Sequence, residues 1–224
     1  MRHFRVIVLA TVCLLLLVVG VERVLHHPAT PLPPAWNPAA PLDVQDPVTA
    51  ATRWKLQRTI RDREACLTAL ATSGAAFEPL PDVEAYQEGC GIPNNVRLQS
   101  IGARLSQPLD TQCETALRLA MWVQHGLPDA TYIEHVGSYS CRAIRTSTGT
   151  GNRMSTHATA AAVDVRSIGF ADGRIYRLPG DWGPELAAAG EAACRWFGTV
   201  LGPDYNALHA DHFHLQNRGW GLCR

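Results

Sequence analysis

Nine histidines occur in the 224 residues, and three of them crowd into His209-Ala-Asp-His212-Phe-His214. On a strand, side chains two residues apart project to the same face, so His212 and His214 point together. His157 stands seven residues before Asp164, in Ser155-Thr-His157-Ala-Thr-Ala-Ala-Ala-Val-Asp164. A gap of that length can run from a loop into a strand and let both side chains converge. Imidazole and carboxylate together are a donor set that suits zinc, and three protein ligands leave a fourth position for water. Each segment also has a plainer reading. An H-x-H pair can be satisfied within its own strand, and Asp164 can serve as a turn carboxylate or a cap.

Composition narrows the field around these residues. Lys plus Arg number 20 against 20 Asp plus Glu, with a pI near 7.1, so no basic excess exists to neutralise nucleic-acid phosphates. At 46% hydrophobic and 18% charged residues the chain can build a packed core, which excludes wholesale disorder. Lys55 is the single lysine beside 19 arginines, so lysine-based covalent chemistry has one poor candidate.

Residues 1–27 form a separate unit. Arg2 and Arg5 precede an apolar run from Val6 to Val21, closed by Glu22 and Arg23. As helix the run spans roughly 24 Å, slightly short of a full crossing. Its exit, Val-Val-Gly-Val-Glu-Arg, lacks a small-x-small cleavage site, which favours an uncleaved signal-anchor over a cleaved, secreted form. Positive residues before the helix predict a cytoplasmic N-terminus and an exported remainder. Residues 28–48 carry seven prolines, which predicts a semi-extended linker that lifts the domain off the membrane. Residues 49–224 then form one domain.

Cys13 lies inside the apolar run, leaving Cys66, Cys90, Cys113, Cys141, Cys194 and Cys223. An even number in an exported domain reads as three disulfides. Fifteen connectivities are open; the sequential one, Cys66–Cys90, Cys113–Cys141 and Cys194–Cys223, is the working expectation.

The elements that must position the histidines read as follows. A helix is expected over 50–72, then a Gly-, Pro- and Asn-rich stretch from Ser73 to Gln107 with a short alternating segment at Val96–Leu98. Thr111 and Glu114 suggest a capping box for a helix across Ala116–Gln124. Strands are expected at 131–142 and Ala160–Val165, with a loop at 146–153 between them. A hairpin turn at Ala171–Arg174 would return a strand at Ile175–Leu178. Asp181 could cap a helix from Pro184 to Leu201, and His212–Gln216 would close the chain as a strand. Helices first and strands later predict an α+β fold with a mostly antiparallel sheet and flanking helices.

The pattern Ser-x-His-(x)6-Asp followed by His-x-His resembles the zinc D,D-peptidase and hedgehog-like superfamily. Gly137-Ser-Tyr-Ser-Cys-Arg142, Ser155-Thr-His157-Ala, Asp164-Val and Leu201-Gly-Pro-Asp-Tyr-Asn206, with the histidine cluster, resemble more closely the bacterial extensin-like C-terminal domain family. The tail is also similar to that of penicillin-insensitive murein endopeptidases. The resemblance implies His157, Asp164 and His214 as zinc ligands. It implies His212, and behind it His209, as proton-handling groups, and Arg142 as a substrate-binding residue. Many relatives carry Gly where Ala160 stands, and often place a Glu base where Asp211 stands. Asp211 is one methylene shorter, so His212 is the stronger candidate for proton transfer. The implied activity is zinc-dependent hydrolysis of peptidoglycan peptides by a periplasmic domain anchored in the bacterial inner membrane. The alternative from another class is a cell-wall-binding or structural module that keeps the fold without hydrolysis. A disulfide-stapled domain without metal is the third.

Overall fold

The apolar run becomes α1 (Arg2–His26), whose 24-residue stretch from His3 to His26 contains an 18-residue window with a mean hydropathy of 2.8. At 1.5 Å per residue it is about 36 Å long, enough to cross a membrane. A signal sequence near an N-terminus has the same character, so α1 can act as anchor or signal. The computed structural model describes residues 2–27, 29, 32–85, 87–146, 149–219 and 221–224. Pro28, Thr30 and Pro31 of the expected linker, and Ser147 and Thr148 of the expected loop, lie outside the described residues.

The chain after α1 is α+β. Among the described residues the main sheet runs β1 (Ala76–Pro79), β4 (Asn95–Ser100), β5 (Arg104–Gln112), β6 (Ala130–Gly137), β9 (Ala162–Phe170), β12 (Phe213–Gln216), β11 (Thr199–Leu201) and β13 (Leu222–Cys223). Strand β10 (Ile175–Arg177) also pairs with β9 as the expected hairpin. Neighbours are antiparallel except β5–β6 and β11–β13. Two small ribbons stand apart: β2 (Val83–Glu84) with β3 (Gly91–Ile92), and β7 (Ala143–Thr146) with β8 (Gly149–Met154).

One face of the sheet carries the core. Val163 and Val165 of β9, and Phe213 and Leu215 of β12, are almost fully buried there with Leu117, Leu119 and Trp122 of α4 (Cys113–Gly126). The period of two then sends Asp164 and Arg166, and His214 and Gln216, to the opposite face. The register sets His214 opposite Asp164 and Phe213 opposite Val165. Helix α5 (Pro184–Ala193) lies against β12 through Gly190, where a Cβ would come within 2.9 Å of the Phe213 ring. The Trp122 indole N–H donates to the Ala189 carbonyl at 3.0 Å, joining α4 to α5.

Several expectations change. The 50–72 helix is two, α2 (Ala50–Thr59) and α3 (Arg63–Thr72), because the Asp62 carboxylate accepts the Ala65 N–H at 2.7 Å and starts a new helix. Thr111 remains in β5 rather than capping α4. Its hydroxyl lies 2.7 Å from Ser138 Oγ and donates to the Ala160 carbonyl, while Glu114 accepts from Arg118. The 73–107 stretch holds most of a sheet edge, including β4 and much of β5. The 146–153 loop belongs largely to the β7–β8 hairpin. Helix α5 stops at Ala193, since Trp196 and Phe197 turn into the core and Gly198 packs against the backbone of Asn217 and Arg218. Asp181 accepts the Arg177 N–H instead of capping α5.

The sequential cysteine pairing is corrected at two bonds. The bridges are Cys66–Cys113, Cys90–Cys141 and Cys194–Cys223, and Cys13 is free. Cys66 and Cys113 meet because α3 packs on the first turn of α4, a long-range contact that sequence proximity hides.

The proline-rich segment is no free stalk over its second half. Leu42 and Val44 enter the core, the Val44 N–H donates to Thr72 Oγ1 at 2.8 Å, and the Val44 carbonyl pairs with the His125 ring at 2.9 Å. Lys55, almost fully buried, reaches the Pro34 carbonyl at 3.1 Å and Asp46 at 3.6 Å. Apolar side chains interspersed among the prolines gain more by burial than by solvation. A domain cut at Thr49 would lose these contacts, which reach back to Pro34.

Candidate metal centre

The open face of β9 and β12 gathers the predicted ligands. His157 sits in a short 3-10 turn, Thr156–Thr159, that Ser155 caps by accepting the His157 N–H. Ala160 ends the turn at φ 53°, a left-handed conformation that glycine adopts without cost. Its carbonyl is held by the hydroxyls of Thr115 at 2.8 Å and Thr111 at 3.1 Å. The chain then enters β9 and delivers Asp164 beneath His157.

His157, Asp164 and His214 each offer one donor atom, all within 4.8 Å of one another. His157 Nε2 lies 3.0 Å from His214 Nδ1 and 3.2 Å from Asp164 Oδ1, and His214 Nδ1 lies 2.9 Å from Asp164 Oδ1. The outer partners decide where the ring protons go. His157 Nδ1 faces the Ser138 carbonyl at 2.7 Å, which can only accept, so Nδ1 carries the N–H and Nε2 is a bare lone pair. Gln216 Nε2 donates to the Arg218 carbonyl at 2.8 Å, which turns its Oε1 toward His214 Nε2 at 3.0 Å. Thr156 Oγ1 donates to the same Oε1 at 3.1 Å. His214 therefore donates through Nε2 and turns the Nδ1 lone pair inward.

Two imidazole lone pairs and a carboxylate oxygen thus converge without a proton of their own. Such a group is satisfied by a cation, and the residues present fit a metal ion.

The remaining predicted residues surround this cluster. His212 Nδ1–H donates to Asp211 Oδ1 at 2.8 Å, and His212 Nε2 lies 3.7 Å from Asp164 Oδ1, facing the cluster. Asp211 reaches the site through His212 and also accepts from Arg166 at 3.2 Å. Asp211 lies below the usual carboxylate range, first through the His212 hydrogen bond and then through the charges of His212 and Arg166. His209 packs on His212 and His214, at ring separations of 5.4 and 5.8 Å, with Tyr205 behind it. Burial above all pushes its imidazole down to about 4, so it is neutral near pH 7. Arg142 is bound to the site through the backbone: its carbonyl accepts the Ser155 N–H at 3.0 Å. Its guanidinium is half-buried and makes no ion pair with a carboxylate among the described residues.

Gln216, Thr156, Ser138 and Arg166 escaped sequence reasoning. The period of two signals Gln216, since it follows His214 by two residues on one strand. Nothing local marks Ser138, whose carbonyl matters only once β6 and the His157 turn meet. We expect Gln216→Leu to weaken metal affinity 10–100-fold, on the order found for outer partners of ligating histidines, with Gln216→Glu retaining it. A chelator-competition titration checks this. Equal affinity in Gln216→Leu would mean that Gln216 does not set the His214 tautomer.

A groove of about 590 Å³ is lined by Arg97, Leu109, Asp110, His135, Ser138 and Tyr139 among others, and meets the centre through Ser138, whose carbonyl holds His157. His135 donates through Nε2 to the Gln107 carbonyl at 2.9 Å, and its buried Nδ1 has no partner among the described residues. Burial pushes this imidazole below its ordinary range, with the Gln107 bond opposing in part. The unfolded chain takes up a proton near pH 6.5 that the native state refuses, so stability is full above that value and falls as pH drops below it. Burial of His125 adds the same sign. Thermal unfolding should therefore occur at lower temperature at pH 5 than at pH 7.5, and His135→Gln should flatten the difference. An unchanged slope in that variant would refute the assignment.

The geometry defines an α+β domain with a candidate metal centre, stapled by three disulfides. The chain belongs to the family described as the extensin-like protein C-terminus, whose model matches residues 64–224. No curated protein and no solved structure matches it.

Proposed function

We propose that this chain is a membrane-anchored, periplasm-facing zinc peptidase that hydrolyses peptide bonds of peptidoglycan. The observation that carries the reading is the inward turn of two imidazole lone pairs and one carboxylate oxygen, with an oriented histidine beside them. Zinc held by His157 Nε2, His214 Nδ1 and Asp164 would supply Lewis acidity for a scissile carbonyl and lower the pKa of a bound water toward neutrality. Ser138 and Gln216 keep the two rings in the required tautomers. Asp211 holds the His212 Nδ1 proton, leaving Nε2 to accept a proton on the cluster side and later return it. His209 shields that position as a neutral ring. Arg142, without a carboxylate partner among the described residues, can receive a substrate carboxylate, and the neighbouring groove has room for a peptide.

Intact-mass analysis of isolated murein after incubation with the purified chain tests the reading. New, smaller muropeptides are expected with wild type and not with His212→Ala. Unchanged murein from a metal-loaded protein would make it a wall-binding or structural module instead.

A further inference from the structure

The first exposed surface after α1 carries a composition that nothing in the candidate centre uses. Between Pro47 and Arg61 the chain holds Arg53, Lys55, Arg58 and Arg61 and no acidic residue. Lys55 is spent inside the fold, on Asp46 and the Pro34 carbonyl. Arg53, Trp54, Gln57 and Arg58 of α2, and Arg61 just beyond it, are exposed. Trp54 is 52% exposed and Trp36 55%. The Arg58 guanidinium stacks over the Trp54 ring at 4.8 Å and binds the carbonyls of Ala39 and Ala40, which fixes Trp54 in an outward position. Arg53 and Arg61 make no ion pair among the described residues.

The position of this face is what selects its partner. Trp36 lies ten residues past the end of α1, and the Asn37 side-chain amide donates to the Leu25 carbonyl at 2.8 Å, tying the Trp36 turn to the last turn of α1. A membrane crossed by α1 would therefore have its polar boundary beside Trp36. Tryptophan rings partition to that boundary, and arginines there attract anionic headgroups. We propose that Trp36 and the exposed face of α2 rest on an anionic phospholipid surface, as a second membrane contact that orients the domain above its anchor. Charge complementarity and the covalent link to an apolar helix both favour lipid over a second copy of this chain, which would set like charges against each other.

Because α1 contains no tryptophan, emission reports on the exported domain alone. The full chain is reconstituted in vesicles of phosphatidylglycerol with brominated acyl chains and, separately, brominated phosphatidylcholine. Wild type should be quenched more in the anionic vesicles, and Trp36→Phe/Trp54→Phe should remove more than half of the quenching. Arg53→Glu/Arg61→Glu should bring the anionic value down to the zwitterionic one. Flotation of the same samples reports insertion of α1 separately. Protein that floats without quenching, or quenching that persists in the Trp36→Phe/Trp54→Phe variant, overturns the proposed contact and leaves the anchor standing. Protein that does not float overturns both. Dimers without quenching would assign the face to a second copy.

Discussion

Replacing Cys66 and Cys113 together by alanine should destabilise the domain by about 4 kcal/mol, the cost expected for releasing a loop of this length in the unfolded chain. The bridge spans 47 residues and both half-cystines are nearly fully buried between α3 and α4. Against a total stability on the order of 5–15 kcal/mol, that loss is a large share. Denaturant midpoints with a shared slope measure it, and a change below about 1 kcal/mol would contradict the account. Peptide mapping without reduction should return Cys66–Cys113, Cys90–Cys141 and Cys194–Cys223. A Cys66–Cys90 peptide would show the sequential pairing instead.

The second large effect separates proton transfer from ligation. His212→Ala should lower turnover of isolated murein by about 10²–10⁴-fold, the usual contribution of a positioned acid–base group, while retaining the metal. His212 approaches Asp164 Oδ1 only to 3.7 Å and spends its Nδ1 proton on Asp211, so it is not needed to hold the ion. Asp211→Ala should cost less than His212→Ala, because it loosens the ring without removing it. Loss of metal in His212→Ala would make this residue a ligand and reverse the assignment.

Local rules made two halves of the cluster legible, His157 with Asp164 and His212 with His214. The choice of His214 as third ligand came from the family resemblance, since it meets Asp164 only through the pairing of β12 with β9. A seven-residue gap runs from a tight turn into β9, and the pleat keeps His212, His214 and Gln216 on one side of the sheet. The partners that select the tautomers were not legible in the same way, since the Ser138 carbonyl meets His157 only after distant elements dock. The cysteine pairing failed for the same reason: Cys113 stands at the start of α4, and only the packing of α3 on that turn selects Cys66. The β7–β8 hairpin has mostly exposed residues and no apolar alternation, so its ladder of backbone bonds leaves no trace in side-chain pattern. The buried part of the proline-rich segment was hidden by its prolines, although Leu42 and Val44 are core residues.

The central claim is that three side chains of β9, β12 and the His157 turn hold one metal ion. Elemental analysis of the full-length chain in detergent tests it directly. About one zinc per wild-type chain is expected, and essentially none in His157→Ala, Asp164→Ala or His214→Ala, because each removes one of three protein donors. Wild type that stays free of zinc after incubation with excess metal, or His214→Ala that keeps a full complement, would contradict the account.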